Sequence, residues 1–191
     1  HAHGPRTGDT GGHEGAAASH PLSLAGTLQQ NETASLDLSI SFPAGTSAAD
    51  AADFTNAFLA DVQTAVTAYA GPGTLSLSSS TLTFTATGGD VAMTDLGISL
   101  GTLDDSLVEG DEDYTVSIAN PATTTAAPVS GSGSVTTTIT DNDGATWALT
   151  GDTGVNEGAA ASYTLSLAGT LQQNETASID LSISFPAGTS A

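Results

Sequence analysis

Carboxylate side chains are concentrated in two short stretches of the chain. Residues 103–114 contain six of them: Asp104, Asp105, Glu109, Asp111, Glu112 and Asp113. The second stretch is Asp141-Asn142-Asp143. Carboxylates crowded in this way repel one another unless a cation lies among them. The two stretches therefore indicate cation binding, and the alternative is a pair of flexible acidic turns.

The type of ligand favours calcium over other metals. Glu14, in a Glu-Gly pair that recurs as Glu157-Gly158, adds a further carboxylate. Calcium takes about six to eight oxygen ligands, supplied by carboxylates, amides and carbonyls of several loops, whereas magnesium takes few carboxylates and retains water. Zinc prefers nitrogen and sulfur ligands. The chain has no cysteine, and its four histidines lie in the first twenty residues. We therefore expect Ca²⁺.

The chain carries a long internal repeat. Residues 7–48 align with residues 150–191 at a fixed offset of 143, and 37 of the 42 aligned positions are identical. Such a period marks a string of domains, because solenoid repeats run about 20 to 50 residues. We divide the chain into a complete repeat at 1–143, and a linker with the first third of the next repeat at 144–191. Near-identical copies favour a protein whose function depends on its length, on the number of copies or on the surface that they cover.

The composition excludes several classes of partner. The net charge is −20, with one basic residue against 21 acidic ones. Such a surface repels phosphate backbones and anionic lipid headgroups, so we expect no nucleic-acid partner. No apolar run approaches the roughly 18 residues of a membrane span, so we expect no membrane insertion. A solvated acidic surface, or adaptation to high salt, is the alternative explanation of the charge.

Apolar residues alternate with Ser and Thr along much of the chain. Leu36, Leu38, Ile40 and Phe42 show this period of two, which is typical of strands with one buried face. The alternation recurs at 82–84, 96–100, 114–118 and 135–139, and turn signals occur at 88–89, 120–121 and 131–133. Short alternating strands separated by turns predict an all-β sandwich.

One segment has helical spacing instead. Phe54, Phe58, Leu59, Val62, Val66 and Tyr69 would share one face of a helix. Ser47 and Asp50 have the spacing of a capping box, and Gly71-Pro72-Gly73 would end the run. We predict one inserted α-helix near 48–69. Its apolar face is expected to pack on the sandwich, with docking of a neighbouring chain as the alternative.

Two segments of the chain resemble the Calx-β domain family. They are Val-Glu-Gly-Asp-Glu-Asp-Tyr-Thr-Val-Ser-Ile-Ala-Asn-Pro at 108–121 and Gly-Ser-Val-Thr-Thr-Thr-Ile-Thr-Asp-Asn-Asp at 133–143. The family pattern is an acidic run, an Asn-Pro turn and a last strand ending in Asp-x-Asp. The early Glu-Gly pair and Ala-Asp-Phe at 52–54 match two further elements. The resemblance implies an immunoglobulin-like, seven-stranded antiparallel sandwich that binds calcium at one end.

The resemblance also implies a set of calcium ligands. Carried over by position, they are Glu14, Asp53, Asp104, Asp105, Glu109, Glu112, Asp141, Asn142 and Asp143, with the carbonyl of Leu107 and, in the second copy, Glu157. The helical segment after Asp53 departs from the family pattern. Asp53 therefore has two expected positions, one at the metal site and one inside the helix.

Three functions are compatible with these features. Tandem Calx-β-like repeats resemble those of bacterial giant surface adhesins, which implies a calcium-bound rigid extender of an extracellular or cell-surface adhesin or filament. The partners of this extender would be neighbouring repeats of the same chain or identical chains in a filament. The second is a calcium-responsive regulatory module. The third is a glycan-active enzyme with paired carboxylates. We expect no enzyme, because the chain has one Trp and few other aromatics to line a sugar cleft.

Overall fold

Strands and one α-helix account for the regular structure of the described residues, 11–43 and 49–185, in a computed structural model. The strands are β1 (Gly11–His13), β2 (Ala17–Leu22), β3 (Thr27–Leu28), β4 (Thr33–Ser41), β5 (Thr74–Ser78), β6 (Thr81–Thr85), β7 (Val91–Ala92), β8 (Leu96–Gly101), β9 (Leu107–Val108), β10 (Glu112–Thr123), β11 (Gly133–Thr140), β12 (Thr146–Gly151), β13 (Tyr163–Ala168) and β14 (Thr170–Leu171). The helix is α1 (Phe58–Ala68). The prediction of a mostly β fold is confirmed.

The described residues form two units. The first comprises residues 11–43, 49–105 and 110–142, and the second comprises residues 106–109 and 143–185. The first unit contains a six-stranded sheet in the order β1-β11-β10-β4-β6-β5. All neighbours in this sheet are antiparallel except β1, which runs parallel to β11. The pairs β2-β8 and β3-β7 are antiparallel and lie outside this sheet.

The core of the first unit lies between its strand layers. Leu96, Ile98 and Leu100 alternate with exposed residues along β8, as the period of two requires. They belong to one apolar cluster with the buried residues of the six-stranded sheet, which are Leu38, Leu82, Phe84, Tyr114, Val116 and Ile139. Two strand layers that enclose one core make the unit sandwich-like.

The helix is shorter than predicted and begins ten residues later than the predicted 48. Asp50 caps a single 3₁₀ turn at Ala51–Asp53, and Phe54 is extended and bridges Thr102. The ring of Phe54 packs edge-on against Tyr114, with the ring centroids 5.0 Å apart. The backbone bridge and this packing hold Phe54 outside the helix despite its helical spacing. Residues 47 and 48 lie outside the described residues.

The apolar face of α1 packs on the sandwich, which is the first of the two expected arrangements. Val62 and Val66 are buried in the core cluster, and Phe58 and Tyr69 pack against it. The helix contacts β8 and β5. Tyr69 also accepts a hydrogen bond from the Thr94 amide at 3.1 Å, so the residue after the helix is anchored as well.

The expected turn at Asn120-Pro121 is instead a bulge within β10. The pairing of β10 with β4 shifts register between Ala119 and Ala122, and the strand continues to Thr123. Proline cannot donate a ladder hydrogen bond and is therefore confined to edges and bulges. Asn120 has a φ of 51° and donates to Asp37 at 2.8 Å. The Asn-Pro pair therefore correctly indicated an irregular backbone at this point, but the irregularity is a bulge and not a turn.

The second unit contains two small strand pairs. β12 and β13 are antiparallel, and β14 runs parallel to β9. Residues 176–184 repeat the sequence of β4 with one change, Leu36 to Ile179, yet they form no strand. The described residues of this unit include no counterparts of β6 and β10, which flank β4 in the first unit. Among the described residues, no strand pairs with this second copy of the β4 sequence.

This difference predicts unequal effects of one substitution at matching positions of the two copies. Leu38 is 2% exposed, whereas Leu181, 143 residues later, is 68% exposed. In the 191-residue chain, Leu38→Ala should lower the free energy of unfolding by about 2–5 kcal/mol, because it leaves a cavity in the core. Leu181→Ala should change it by no more than about 0.5 kcal/mol. Urea titration measures both, and equal losses would contradict the structure.

A second prediction concerns Asp37 of β4. Hydrogen bonds from Thr81 at 2.6 Å and Asn120 at 2.8 Å lower the pKa of this carboxyl. Ionised Asp37 therefore stabilises the fold above the unfolded-state pKa, and this stabilisation is lost as the pH falls through the folded-state pKa. Thr81→Val should raise the pKa of Asp37, measured by NMR titration of its carboxyl carbon. Thr83→Val, on the same strand, is the control and should leave the pKa unchanged.

Candidate metal centre

Three loops of the first unit are joined by backbone hydrogen bonds. The amide of Glu14, just after β1, donates to the carbonyl of Thr140 at the end of β11, with an N–O distance of 3.2 Å. The next amide, of Gly15, donates to Leu103 at 3.1 Å, and the Thr102 amide donates to Ala16 at 2.8 Å. These bonds bring the loops after β1, β8 and β11 to one end of the sheet. Each of these loops carries predicted ligands.

Gly15 allows the first two loops to approach closely. Its φ is +71°, and a Cβ at this position would lie 2.9 Å from the Cβ of Asp104. Any side chain would therefore both strain the backbone and displace Asp104. The Glu-Gly pair was selected in the sequence because of its carboxylate, and the role of the glycine was not predicted. The recurrence of the pair at Gly158, with φ +84°, is the signal that could have revealed it.

Three of the predicted carboxylate ligands form one group. Glu14, Asp105 and Asp143 each offer an oxygen, and the three oxygens lie within 4.8 Å of one another. Asp105 is exposed, and Glu14 and Asp143 are half-buried. This acidic triad could hold a metal ion. Because all its donor atoms are carboxylate oxygens, it suits hard cations such as Ca²⁺ and Mg²⁺ better than zinc or copper.

Three further predicted ligands lie in the same loops and make hydrogen bonds there. Asn142 donates its side-chain amide to Asp104 Oδ1 at 2.7 Å. Asp141 Oδ2 accepts the backbone amide of Gly110 at 3.0 Å. These bonds tie the residues after β11 to the loops before and after β9. Asp104, Asp141 and Asn142 therefore act on loop geometry around the acidic triad.

Two predicted ligands have other surroundings in the first unit. Asp53 is neither at the triad nor inside α1, because its carboxylate accepts the Asp50 amide as half of a capping box for the 3₁₀ turn. Glu112 begins β10 on the inward face that it shares with Tyr114, and only 9% of it is exposed. The period-two register of β10 decides this orientation.

Three of the remaining predicted ligands belong to the second unit. Leu107 lies in β9, where it is paired with Thr170 of β14. Glu109 accepts a hydrogen bond at 2.6 Å from the side-chain amide of Gln172. Glu157 is exposed. Three of the eleven predicted calcium ligands therefore belong to the triad.

The fold and the triad define a mostly β, sandwich-like protein with a candidate metal site. Comparison with protein-family models finds no match, and a search of curated proteins finds no similar sequence. In the described part of the chain, no helix has the length and apolar character needed to cross a membrane. Functional inference therefore depends on the site itself.

The triad predicts which acidic residue affects cation binding. Asp105→Asn removes one charge and one strong oxygen donor while keeping the shape of the side chain. We expect it to weaken Ca²⁺ binding by about tenfold or more, equivalent to about 1.4 kcal/mol. Asp95→Asn removes the same charge from an exposed residue outside the triad and is the matched control. Isothermal titration calorimetry compares them, and equal affinities would exclude the triad as the site.

Proposed function

We propose that this chain is a calcium-binding structural repeat, a rigid extender, of a secreted or cell-surface bacterial adhesin or filament. The observation that carries the proposal is the acidic triad of Glu14, Asp105 and Asp143, drawn from positions up to 129 residues apart in the chain. Bringing three negative charges together is unfavourable in water without a cation. A repeat that gathers them is therefore suited to binding one.

Among the hard cations, we favour calcium as the ion of the triad. Ca²⁺–oxygen distances are about 2.3–2.6 Å, so ligand oxygens on opposite sides of the ion lie about 5 Å apart. The three oxygens of the triad lie within 4.8 Å of one another, which is compatible with that span. Mg²⁺ requires a tighter octahedron and retains several waters, which three convergent carboxylates would displace. The loops around the triad can supply further carbonyl oxygens.

We place the repeat in the Calx-β family, with an immunoglobulin-like, seven-stranded sandwich. Three features support this assignment: the resemblance of the segments 108–121 and 133–143, the acidic loops at the end of β11, and the two strand layers around one core. The parallel pairing of β1 with β11, beside otherwise antiparallel neighbours, is compatible with a sandwich whose first strand reaches the last one.

The structural role follows from the repetition of the sequence. Near-identical copies at a period of 143 supply length, and a catalytic centre does not require them. A chain of such copies carries a large negative charge, which bound calcium would reduce. Only residues 144–146 separate Asp143 from Trp147, so little flexible linker lies between copies. The partners would be neighbouring repeats or identical chains, and no catalytic role is proposed.

Calcium should stabilise the repeat. When free Ca²⁺ is about 100 times the dissociation constant, one site adds about 2.7 kcal/mol to the free energy of unfolding. The melting temperature should therefore rise with Ca²⁺ and fall with a chelator, and Mg²⁺ at the same concentration should have a smaller effect. Asp105→Asn should reduce the calcium response. An identical melting curve with and without chelator would refute calcium binding as a source of stability.

The extender role makes a separate prediction for a protein of two complete repeats. Small-angle X-ray scattering should give a larger maximum dimension with Ca²⁺ than with chelator, because a calcium-stiffened array cannot bend as freely. If the dimension is the same in both conditions while calorimetry still detects binding, the repeat binds calcium without acting as an extender. The calcium-responsive regulatory role would then be favoured.

A further inference from the structure

A short apolar strand, β9, interrupts the acidic run at 103–114. Within the second unit it pairs in parallel with β14, so that Leu107 lies opposite Thr170 and Val108 lies opposite Leu171. By sequence, β9 belongs to the first copy of the repeat, which ends at residue 143, whereas β14 belongs to the second copy. A strand of one copy is therefore added to a strand of the copy that follows it.

Two hydrogen bonds of Gln172 extend this contact beyond the two paired residues. Its backbone amide donates to the carbonyl of Val108 at 3.2 Å, and its side-chain amide donates to Glu109 Oε2 at 2.6 Å. Gln172 is half-buried. In strand addition, main-chain hydrogen bonds supply affinity and side chains supply specificity. Gln172 makes both kinds of contact with residues 107–109, which we call the donor segment.

The first copy carries the same acceptor residues with a different hydrogen-bond partner. Residues 27–29, Thr-Leu-Gln, are identical to residues 170–172. The amide of Gln29 donates to the carboxylate of Glu32 at 3.0 Å, and the side chain of Gln29 is exposed. In the second copy, the same amide donates to Val108 of the donor segment. Glu32 thus takes the place that a donor segment takes in the second copy.

The strand β3 can accept a donor segment while it remains paired with β7. Thr27 lies opposite Ala92 of β7, and the amide of Gln30 donates to the side chain of Asp90, just before β7, at 3.0 Å. In extended backbone, the amides of successive residues point to opposite edges. The amide of Gln29 therefore points to the other edge of β3, which corresponds to the edge that β14 presents to β9.

Hydrogen bonds on both sides of the donor segment hold it in place. Before the segment, Asp104 accepts a hydrogen bond from Asn142 at 2.7 Å, and after it the amide of Gly110 donates to Asp141 at 3.0 Å. Holding a loop in its bound conformation reduces the entropy that is lost on association. The donor segment is therefore preorganised by residues that precede the next copy directly in the sequence.

We propose that the edge of β3 formed by residues 27–29 is the docking site for the donor segment of the preceding copy of the repeat. On docking, the amide of Gln29 exchanges the Glu32 carboxylate for the carbonyl of Val108, and the Gln29 side chain donates to Glu109. Each junction of an array then contains one added strand. The proposal rests on the tandem repetition in the proposed function and is independent of calcium.

Disulfide cross-linking tests the contact, because the chain has no cysteine of its own. In the 191-residue chain, Leu107→Cys and Thr170→Cys place two cysteines opposite each other in the parallel pair. We expect mild oxidation to link them within one molecule, and mass spectrometry of proteolytic fragments detects the link. A variant that remains unlinked would overturn the proposal at its first step.

The docking site on β3 itself is tested in a longer protein that has a complete repeat ahead of the chain. Joining residue 149 to Thr7 of the 191-residue chain adds one copy at the native spacing of 143. Leu107→Cys in the added copy should then form a disulfide with Thr27→Cys in the next copy. Absence of this link would show that the edge of β3 is not a docking site.

The matched control for the longer protein is Ala92→Cys in place of Thr27→Cys. Ala92 is also exposed, but it lies on β7, on the opposite side of β3. Two strand spacings, about 10 Å, would separate it from residue 107 of the added copy. This distance is too long for a disulfide. Equal cross-linking at Ala92 and Thr27 would mean that the copies collide without docking, which contradicts the proposal.

Amide hydrogen exchange, measured by NMR, tests the change of partner without cysteines. In the 191-residue chain, Glu32→Ala should make exchange of the Gln29 amide several-fold faster, and Glu175→Ala should leave the Gln172 amide unchanged. In the longer protein, the Gln29 amide of the next copy should no longer depend on Glu32. Continued dependence on Glu32 would overturn the proposal. All these measurements are made in chelator, so their failure is distinct from a failure of calcium binding, which calorimetry tests.

Discussion

The pairing of β4 with β6 on one edge and β10 on the other is the constraint on which the first unit depends. It buries Ala34 and Leu38 and fixes the register of β10, which in turn pairs with β11. Each backbone group of a central strand needs a partner, because an unpaired buried amide or carbonyl costs free energy. Asp37 reinforces this strand by accepting hydrogen bonds from Thr81 and from Asn120 at the bulge.

The candidate metal site depends on the same sheet. Alignment of β11 with β10 and β1 places the residues after Thr140 beside Glu14, and the Gly15 backbone draws in the loop that carries Asp104 and Asp105. The acidic loops repel one another, so the free energy of sheet formation opposes that repulsion. A cation at the triad would remove this conflict and couple ion binding to folding of the strands. Metal binding at the triad would therefore be coupled to the stability of the sheet.

The second copy shows that residues close in sequence determine little of this arrangement. Residues 176–184 match β4 at all but one position, yet they form no strand, and Leu181, Ile183 and Phe185 are exposed. The turn at Asn174, by contrast, matches the turn at Asn31 in φ and exposure. Turns arise from interactions between residues close in sequence, whereas a strand needs distant partners. The two copies thus separate short-range from long-range determinants within one chain.

The sequence by itself determined the mostly β class, the period-two core positions such as Leu38 and Leu96, and the acidic loops that contain the triad. It predicted a helix that begins near 48, with Phe54 on its apolar face, whereas the helix begins at Phe58, and it predicted a turn where Asn120 forms a bulge. Residue spacing carries no information about a backbone bridge to Thr102 or a side-chain hydrogen bond to Asp37. Only the tertiary structure decided that Glu14 and Asp105 lie together while Glu112 faces the core and Asp53 caps its own turn. The physical reason is that proximity between residues some 90 positions apart is set by strand pairing and register, and these depend on the whole sheet.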